Sequence, residues 1–201
     1  MSVKPQIYDS VLEQIQEYIS DNKVLISIAP GVTINHIKSF FRTKAKVIRT
    51  MPNTPAFVGH GMTAISPDNS ISDDELQTVI SLFKSFGEVE IVDENLMECV
   101  TAICGSSPAY VYMFVEALAD AAVQKGMNRD TAYKLSSQAV LGSAKMVLET
   151  GLHPGILKDM VCSPGGTTIE AVYSLEKSGL RGNIMKAVNK CTEKAYKLRK
   201  K

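Results

Sequence analysis

The sequence of 201 residues lacks several features that mark specialised classes of protein. Its formal net charge is only +1, so bulk electrostatics favour neither nucleic acid nor an anionic membrane as a partner. No segment approaches the roughly 20 apolar residues of a membrane span, and no basic-then-apolar signal pattern opens the chain. Repeats and low-complexity tracts are absent as well. We therefore expect a folded, cytoplasmic protein.

Residues that build metal sites or nucleophilic centres are also scarce. The four cysteines are widely spaced and form no CxxC pair, which argues against a zinc site and against a disulfide framework. The three histidines lack the spacing of metal ligands, and no GxSxG elbow occurs. We expect no metal site and four buried, reduced thiols.

The first 93 residues alternate short apolar runs with helical patterns. Three helices are predicted among the apolar runs. One follows Pro5, one is opened by Thr33, and one is opened by a Ser72/Glu75 capping box. Such alternation predicts an open α/β sheet. The predicted strands are 24–29, 46–51, 62–66 and 88–92.

The remainder, residues 94–201, shows helical patterns without a convincing strand. Pro108 suits the first turn of a long helix, Gly126 suits its end, and Asn128 or Asp130 suits the cap of the next helix. We expect an all-helical domain over 94–201 behind an α/β domain over 1–93. Helices so rich in Ala, Leu and Met bury large faces, so pairing of this domain with a second copy is expected.

One nucleotide-binding signature is missing. An α/β domain that binds a dinucleotide carries GxGxxG between its first strand and first helix, and this sequence contains no such motif. The opening residues 2–5 instead suggest the end of a strand that enters a helix. We expect that the glycine loop would precede Ser2. The alternative is a small complete α/β domain with an unusual strand order.

The segment 158–168 carries the strongest chemical pattern. Gly165 and Gly166 let a ligand approach the backbone closely, and exposed N–H groups at a helix start can bind a carboxylate. Ser163, Thr167 and Thr168 add hydroxyl groups that both donate and accept hydrogen bonds. An ordinary helix N-terminus with a Ser/Thr cap explains the same residues equally well.

Two further polar residues are candidates for ligand contacts. Asn53 could orient a ligand amide or simply make a turn, and Glu94 could face a ligand or simply be an acid near a helix start. The segment 105–110 is typical of a helix cap followed by proline.

Taken together, these motifs resemble the pyrroline-5-carboxylate reductase family over essentially the whole chain. The order and spacing of the segments match, and the combination is specific although each segment alone is weak. The matching segments are 3–5, 30–34, 49–55, 105–110, 142–146, 153–155, 157–159 and 163–169.

The resemblance implies a partial Rossmann-like sheet followed by a helical dimerisation domain, and the reduction of 1-pyrroline-5-carboxylate to L-proline by NADPH or NADH. It implies that Gly165, Gly166 and Thr167 hold the substrate carboxylate, that the Thr168 hydroxyl lies near the ring nitrogen, and that Ser163 supports this loop. It places Glu94 near both ligands. It assigns the nicotinamide side of the cofactor cleft to Val3, Lys4, Pro5, Ala29 and Pro30, with Asn53 as a weaker candidate.

Other interpretations of the sequence stay open. A non-catalytic fragment that forms a helical dimer agrees with the missing glycine loop. A small-molecule binding module without chemistry would bind proline and no cofactor. A hydroxyacid or prephenate dehydrogenase shares the two-domain architecture, but the segment 163–168 does not resemble those families.

Overall fold

The computed structural model describes residues 1–41 and 45–199, which form two compact units. The α/β unit comprises Met1–Pro108 together with the described residues from Ala187 onward, and the helical unit comprises Ala109–Lys186. The domain boundary between residues 93 and 94 stays a prediction. No helix in the described ranges is long and apolar enough to cross a lipid bilayer.

The strands of the described residues form one mixed sheet. Their order is β1-β2-β3-β4, with β1 parallel to β2, β2 antiparallel to β3, and β3 parallel to β4. The prediction of four strands is confirmed, and the described segment between β2 and β3 contains only a 3₁₀ turn over Thr54–Val58. The reversed direction at β3 has no signature in the apolar pattern. The strands are β1 (Val24–Ser27), β2 (Lys46–Met51), β3 (Gly61–Pro67) and β4 (Gly87–Ile91).

Helices cover both faces of this sheet. The capping box of α3 is present, because the Ser72 hydroxyl accepts from the Glu75 N–H at 3.3 Å and the Glu75 carboxylate accepts from the Ser72 N–H at 2.9 Å. A 3₁₀ turn over Pro5–Ile7 leads into α1. The helices of this part are α1 (Tyr8–Ile15), α2 (Ile34–Lys38), α3 (Asp73–Lys84) and α4 (Met97–Val100).

Strand β2 lies at the centre of the core. Successive side chains of a strand point to opposite faces, and Val47 and Ile48 accordingly belong to different apolar clusters. Val47 packs with Tyr8 of α1, and Ile48 packs with Phe83 of α3. Burial on both faces places β2 between two layers of helices, although Arg49 and Thr50 interrupt its apolar pattern.

From residue 107 onward the described chain is helical. Gly126 has φ of +92° just past the end of α5, and the Asn128 side chain accepts hydrogen bonds from two N–H groups at the start of α6. The His153 ring caps α7 by accepting from the Gly155 N–H at 3.0 Å. These boundaries follow the sequence signals. The helices are α5 (Ser107–Gln124), α6 (Arg129–Thr150), α7 (Pro154–Met160), α8 (Thr167–Lys177) and α9 (Leu180–Leu198).

The helical unit has almost no core of its own. Among its described residues only Ala119, Ala132 and Ser136 are buried. Large apolar side chains remain in solvent, with Leu148 exposed to 82% and Met113 to 69%. So many exposed large apolar side chains indicate an interaction face.

The cysteines differ from the expectation in one respect. All four are free, but each is partly exposed, so the prediction of full burial is wrong. Burial is sufficient at Cys104 to raise the pKa of its thiol.

Candidate active site

A tight turn over Ser163–Gly166 immediately precedes α8. The Gly166 N–H donates to the Ser163 carbonyl oxygen at 3.0 Å and closes the turn. Gly165 has φ of +66°, which residues with a side chain rarely adopt. A Cβ at Gly166 would lie 2.3 Å from Ser163 Oγ. Both glycines therefore have a local structural reason, and α8 begins immediately after them at Thr167.

The N-terminus of α8 presents hydrogen-bond donors at an open surface. The first N–H groups of a helix have no intrahelical partner. Gly166 is the N-cap residue of α8, and it supplies no side-chain acceptor for them. Gly165, Gly166 and Thr167 line a shallow depression together with the next turns of α8. Thr167 is exposed and Thr168 is half-buried. Free donors at the positive end of a helix dipole are a suitable site for a carboxylate.

A second group of predicted residues lies at the carboxyl end of β1. Ser27 closes this strand, and its hydroxyl accepts from the Tyr8 hydroxyl at 2.7 Å and from the Ala29 N–H at 3.4 Å. The turn over Ala29–Thr33 follows, with Ala29 buried and Pro30 exposed. In open α/β sheets, ligands bind outside the carboxyl ends of the strands. Ala29 and Pro30 occupy that position.

The N-terminal residues reach the same edge of the sheet. Met1 pairs with the end of β1, since the Ile28 N–H donates to the Met1 carbonyl oxygen at 3.3 Å. Val3 then packs against the apolar cluster that contains the turn, and Lys4 is exposed. The side chain of Pro5 lies outside the described part of the chain. The structure therefore brings Val3 and Ala29 together.

Asn53 is engaged at both ends of its amide. Its Oδ1 accepts from the Met62 N–H at 2.8 Å, and its Nδ2 donates to the Cys104 carbonyl oxygen at 3.3 Å. The side chain thereby joins the end of β2 to the start of β3 and to the helical segment Thr101–Gly105. These contacts favour the turn-forming interpretation, and a ligand contact of Asn53 stays a prediction.

Glu94 belongs to a buried cluster of charges. Its Oε1 accepts from the Ile34 N–H at 2.7 Å and lies 3.4 Å from Arg49 Nη1. Arg49 is 2% exposed, and its Nη2 donates to Glu98 Oε1 at 3.0 Å. Arg49 was not among the predicted site residues; the available signal was a charged residue inside an apolar strand. A direct ligand contact of Glu94 stays a prediction.

Residues 94–198 match the family described as pyrroline-5-carboxylate reductase dimerisation. The pyrroline-5-carboxylate reductase of Escherichia coli (strain K12) is 51% identical over 99% of this chain and 74% of its own length. That of Methanosarcina acetivorans is 42% identical over 100% of this chain and 74% of its own length.

This chain belongs to the pyrroline-5-carboxylate reductase family.

Solved structures of pyrroline-5-carboxylate reductases have the same fold. The Coxiella burnetii protein superposes with a TM-score of 0.93 at 36% identity and covers 100% of this chain and 75% of that one. The Plasmodium falciparum protein, solved with NADP bound, gives a TM-score of 0.92 at 36% identity over 99% of this chain and 80% of that one. Membership confirms the predicted fold class and a nicotinamide cofactor for the family, and it removes the other dehydrogenases as candidates.

Proposed function

We propose that this pyrroline-5-carboxylate reductase chain reduces 1-pyrroline-5-carboxylate to L-proline with hydride from NADPH, or from NADH. The observation that carries the proposal is the turn Ser163–Gly166 at the start of α8, which presents backbone donors suited to a small carboxylate. It lies in the segment 163–169, one of those in which the sequence resembles the family.

The substrate end of the site is assigned to this turn. The backbone of Gly165, Gly166 and Thr167 binds the carboxylate, because unpaired N–H groups and the helix dipole both favour an anion there. The Thr168 hydroxyl is assigned to the ring nitrogen of the substrate, where it helps to position the proton on that nitrogen. Ser163 supports the turn through its carbonyl oxygen, which accepts from the Gly166 N–H. No strong acid or base is required, since positioning of the imine dominates.

The cofactor end is assigned to the carboxyl edge of β1. A nicotinamide supplies the hydride when it is bound, and the residues here only hold and orient it. The residues assigned to the nicotinamide are Val3, Lys4, Pro5, Ala29 and Pro30, and support comes from Val3, which packs against the apolar cluster that contains Ala29. NADPH is the preferred cofactor in this proposal because a similar structure was solved with NADP bound.

Assembly completes the proposal. The helical unit buries only three of its described residues and carries the family's dimerisation segment, so a homodimer through these helices would supply the missing core. A larger homo-oligomer built from such dimers and a cytoplasmic location stay predictions. Sedimentation at micromolar concentration should give a dimer; a well-folded monomer would contradict this assembly.

The test of the activity is oxidation of NADPH by the purified chain, followed by the absorbance of the reduced cofactor. Oxidation should require 1-pyrroline-5-carboxylate and should yield one L-proline per NADPH. The Escherichia coli relative, assayed in parallel, is the positive control. Proline binding without imine-dependent oxidation would contradict the proposal and favour a binding module.

A further inference from the structure

The turn Ala29–Thr33 is held at its start by a neighbouring side chain and at its end by a side chain 60 residues away. At its start, the Ser27 hydroxyl accepts from the Ala29 N–H at 3.4 Å. At its end, the Glu94 carboxylate accepts from the Ile34 N–H at 2.7 Å. Ile34 is the first residue of α2, and an N–H there has no partner within the helix. The Thr33 hydroxyl caps the same helix by accepting from the His36 N–H at 3.1 Å. Glu94 adds a second, non-local acceptor at the point where the turn joins the helix.

Glu94 is in turn held by Arg49. A guanidinium is a rigid fork that can bind two carboxylates at once, and Arg49 directs Nη1 to Glu94 and Nη2 to Glu98 at 3.4 and 3.0 Å. Arg49 is 2% exposed and the Glu98 side chain 1%. Buried charges persist only when they are paired, so the positions of these three side chains are strongly coupled.

The end of α9 contacts both the cluster and the turn. Arg199 Nε lies 3.7 Å from Glu98 Oε1, which balances two carboxylates with two guanidinium groups. Gly31, inside the turn, has φ of +74°, and a Cβ there would lie 3.0 Å from the Leu198 carbonyl oxygen. One short stretch of chain thus covers the turn and neutralises the charges that hold it.

We propose that Arg49, acting through Glu94, is a positioning residue for the turn Ala29–Thr33 and therefore for the nicotinamide cofactor. The effect on the cofactor rests on the proposed function, in which this turn faces the nicotinamide. Loss of the Glu94 carboxylate releases the Ile34 N–H and lets the turn move, so cofactor binding weakens. The backbone donors proposed for the substrate carboxylate, at the start of α8, belong to other residues.

The test compares Glu94→Ala with Glu75→Ala. Glu75 is a matched control, because its side chain is also 23% exposed, also accepts a backbone N–H at a helix start, and also pairs with a cation on β2. Hydrogen exchange and steady-state kinetics are measured on both variants. Glu94→Ala should speed exchange of the Ile34 amide about tenfold and raise the KM for NADPH about tenfold. Glu75→Ala should speed exchange only around Ser72 and leave that KM unchanged.

Two more variants separate positioning from a general loss of structure. Glu94→Gln keeps an acceptor for the Ile34 N–H, so it should recover most of the cofactor KM. Arg49→Lys keeps the charge but loses the fork, so it should raise the KM for NADPH alone and add nothing in the Glu94→Ala background. A lower kcat with an unchanged KM would indicate only partial unfolding and would overturn the proposal.

The exchange measurement also separates this proposal from the proposed function. Unchanged exchange at residues 29–34 in Glu94→Ala overturns the positioning role whatever the activity. If the wild-type chain oxidises no NADPH, the proposed function fails, and exchange alone then decides whether Arg49 and Glu94 hold the turn. An equal rise of KM in Glu75→Ala overturns the role as well.

Discussion

Gly166→Ala tests whether the turn before α8 is shaped by contact with Ser163. The backbone at Gly166 has φ of −81° and ψ of 171°, which any residue adopts, so the substitution adds no backbone strain. The added Cβ would lie 2.3 Å from Ser163 Oγ and 3.2 Å from the Ser163 carbonyl oxygen. The first distance is far inside van der Waals contact, so the Ser163 side chain must move.

The expected cost has two parts. Displacing Ser163 Oγ to a poorer torsion costs about 0.5–1.5 kcal/mol. Replacing glycine by alanine at a helix N-cap costs about 0.5–1 kcal/mol, since alanine is a poorer cap. We therefore expect Gly166→Ala to lower the free energy of unfolding by about 1–2.5 kcal/mol. In a Ser163→Ala background the Oγ atom is absent, and only the cap contribution remains.

Urea unfolding of the wild type, both single variants and the double variant gives the coupling between the two positions. The coupling free energy should be about 0.5–1.5 kcal/mol, with the double variant more stable than the sum of the single effects. Additivity within about 0.3 kcal/mol would refute the steric explanation. In the enzyme assay, Gly166→Ala should raise the KM for the imine acid, because the displaced hydroxyl crowds the carboxylate site.

Three further outcomes are expected. Gly31→Ala should lower the free energy of unfolding by about 1–3 kcal/mol in urea, because φ is +74° there and the Leu198 carbonyl leaves no room; a neutral effect would contradict this. Burial raises the pKa of Asp68, but hydrogen bonds from Ser70, Lys38 and Val47 outweigh it and hold the pKa below its ordinary value of 3.8. The ionised carboxylate therefore stabilises the fold at neutral pH. This contribution is lost as the pH falls from the ordinary pKa through the lowered one. Asp68→Asn should accordingly cost about 1.5–3 kcal/mol at pH 7 by urea unfolding and progressively less in acid, and a pH-independent difference would contradict the assignment. Thr168→Ala should lower kcat about 100-fold with little change in the KM for the imine acid, whereas Thr168→Ser should retain activity, and wild-type turnover of Thr168→Ala would remove this role.

Helix boundaries were predictable because the interactions that set them are local. The Ser72/Glu75 box satisfies two N–H groups within four residues, and Gly126 ends α5 through its own backbone conformation. Neither depends on the rest of the fold. Strand β1 was recognisable for a related reason, since the run Val24–Ala29 that contains it is almost entirely apolar.

The cluster around Arg49 could not be predicted in the same way. Its carboxylate partners, Glu94 and Glu98, follow it by 45 and 49 residues, and only the folded sheet brings them to the arginine. The partners of Asn53 are likewise non-local: one is nine residues away and the other is 51. Sequence patterns report local propensity and burial, and they carry no information on which distant groups will pair.

The turn before α8 shows why two interpretations of one segment were equally supported. The segment is a helix start, since Gly166 caps α8, and that same geometry leaves donors available to an anion. A structural role and a binding role therefore do not compete here. What distinguishes a functional turn is the absence of a side-chain cap, because a Ser or Asp at the N-cap would consume the donors that a carboxylate needs.

The small core of the helical unit links the proposed carboxylate site to dimerisation. A unit whose buried described residues are Ala119, Ala132 and Ser136 cannot offset the entropy of ordering its helices. A second copy that covers side chains such as Leu148 and Met113 provides the apolar burial that the single chain lacks. The proposed carboxylate site lies on α8 within this same unit. Its geometry therefore depends on the assembly. We expect substrate binding to weaken when the dimer dissociates and the apolar faces of the helices become exposed.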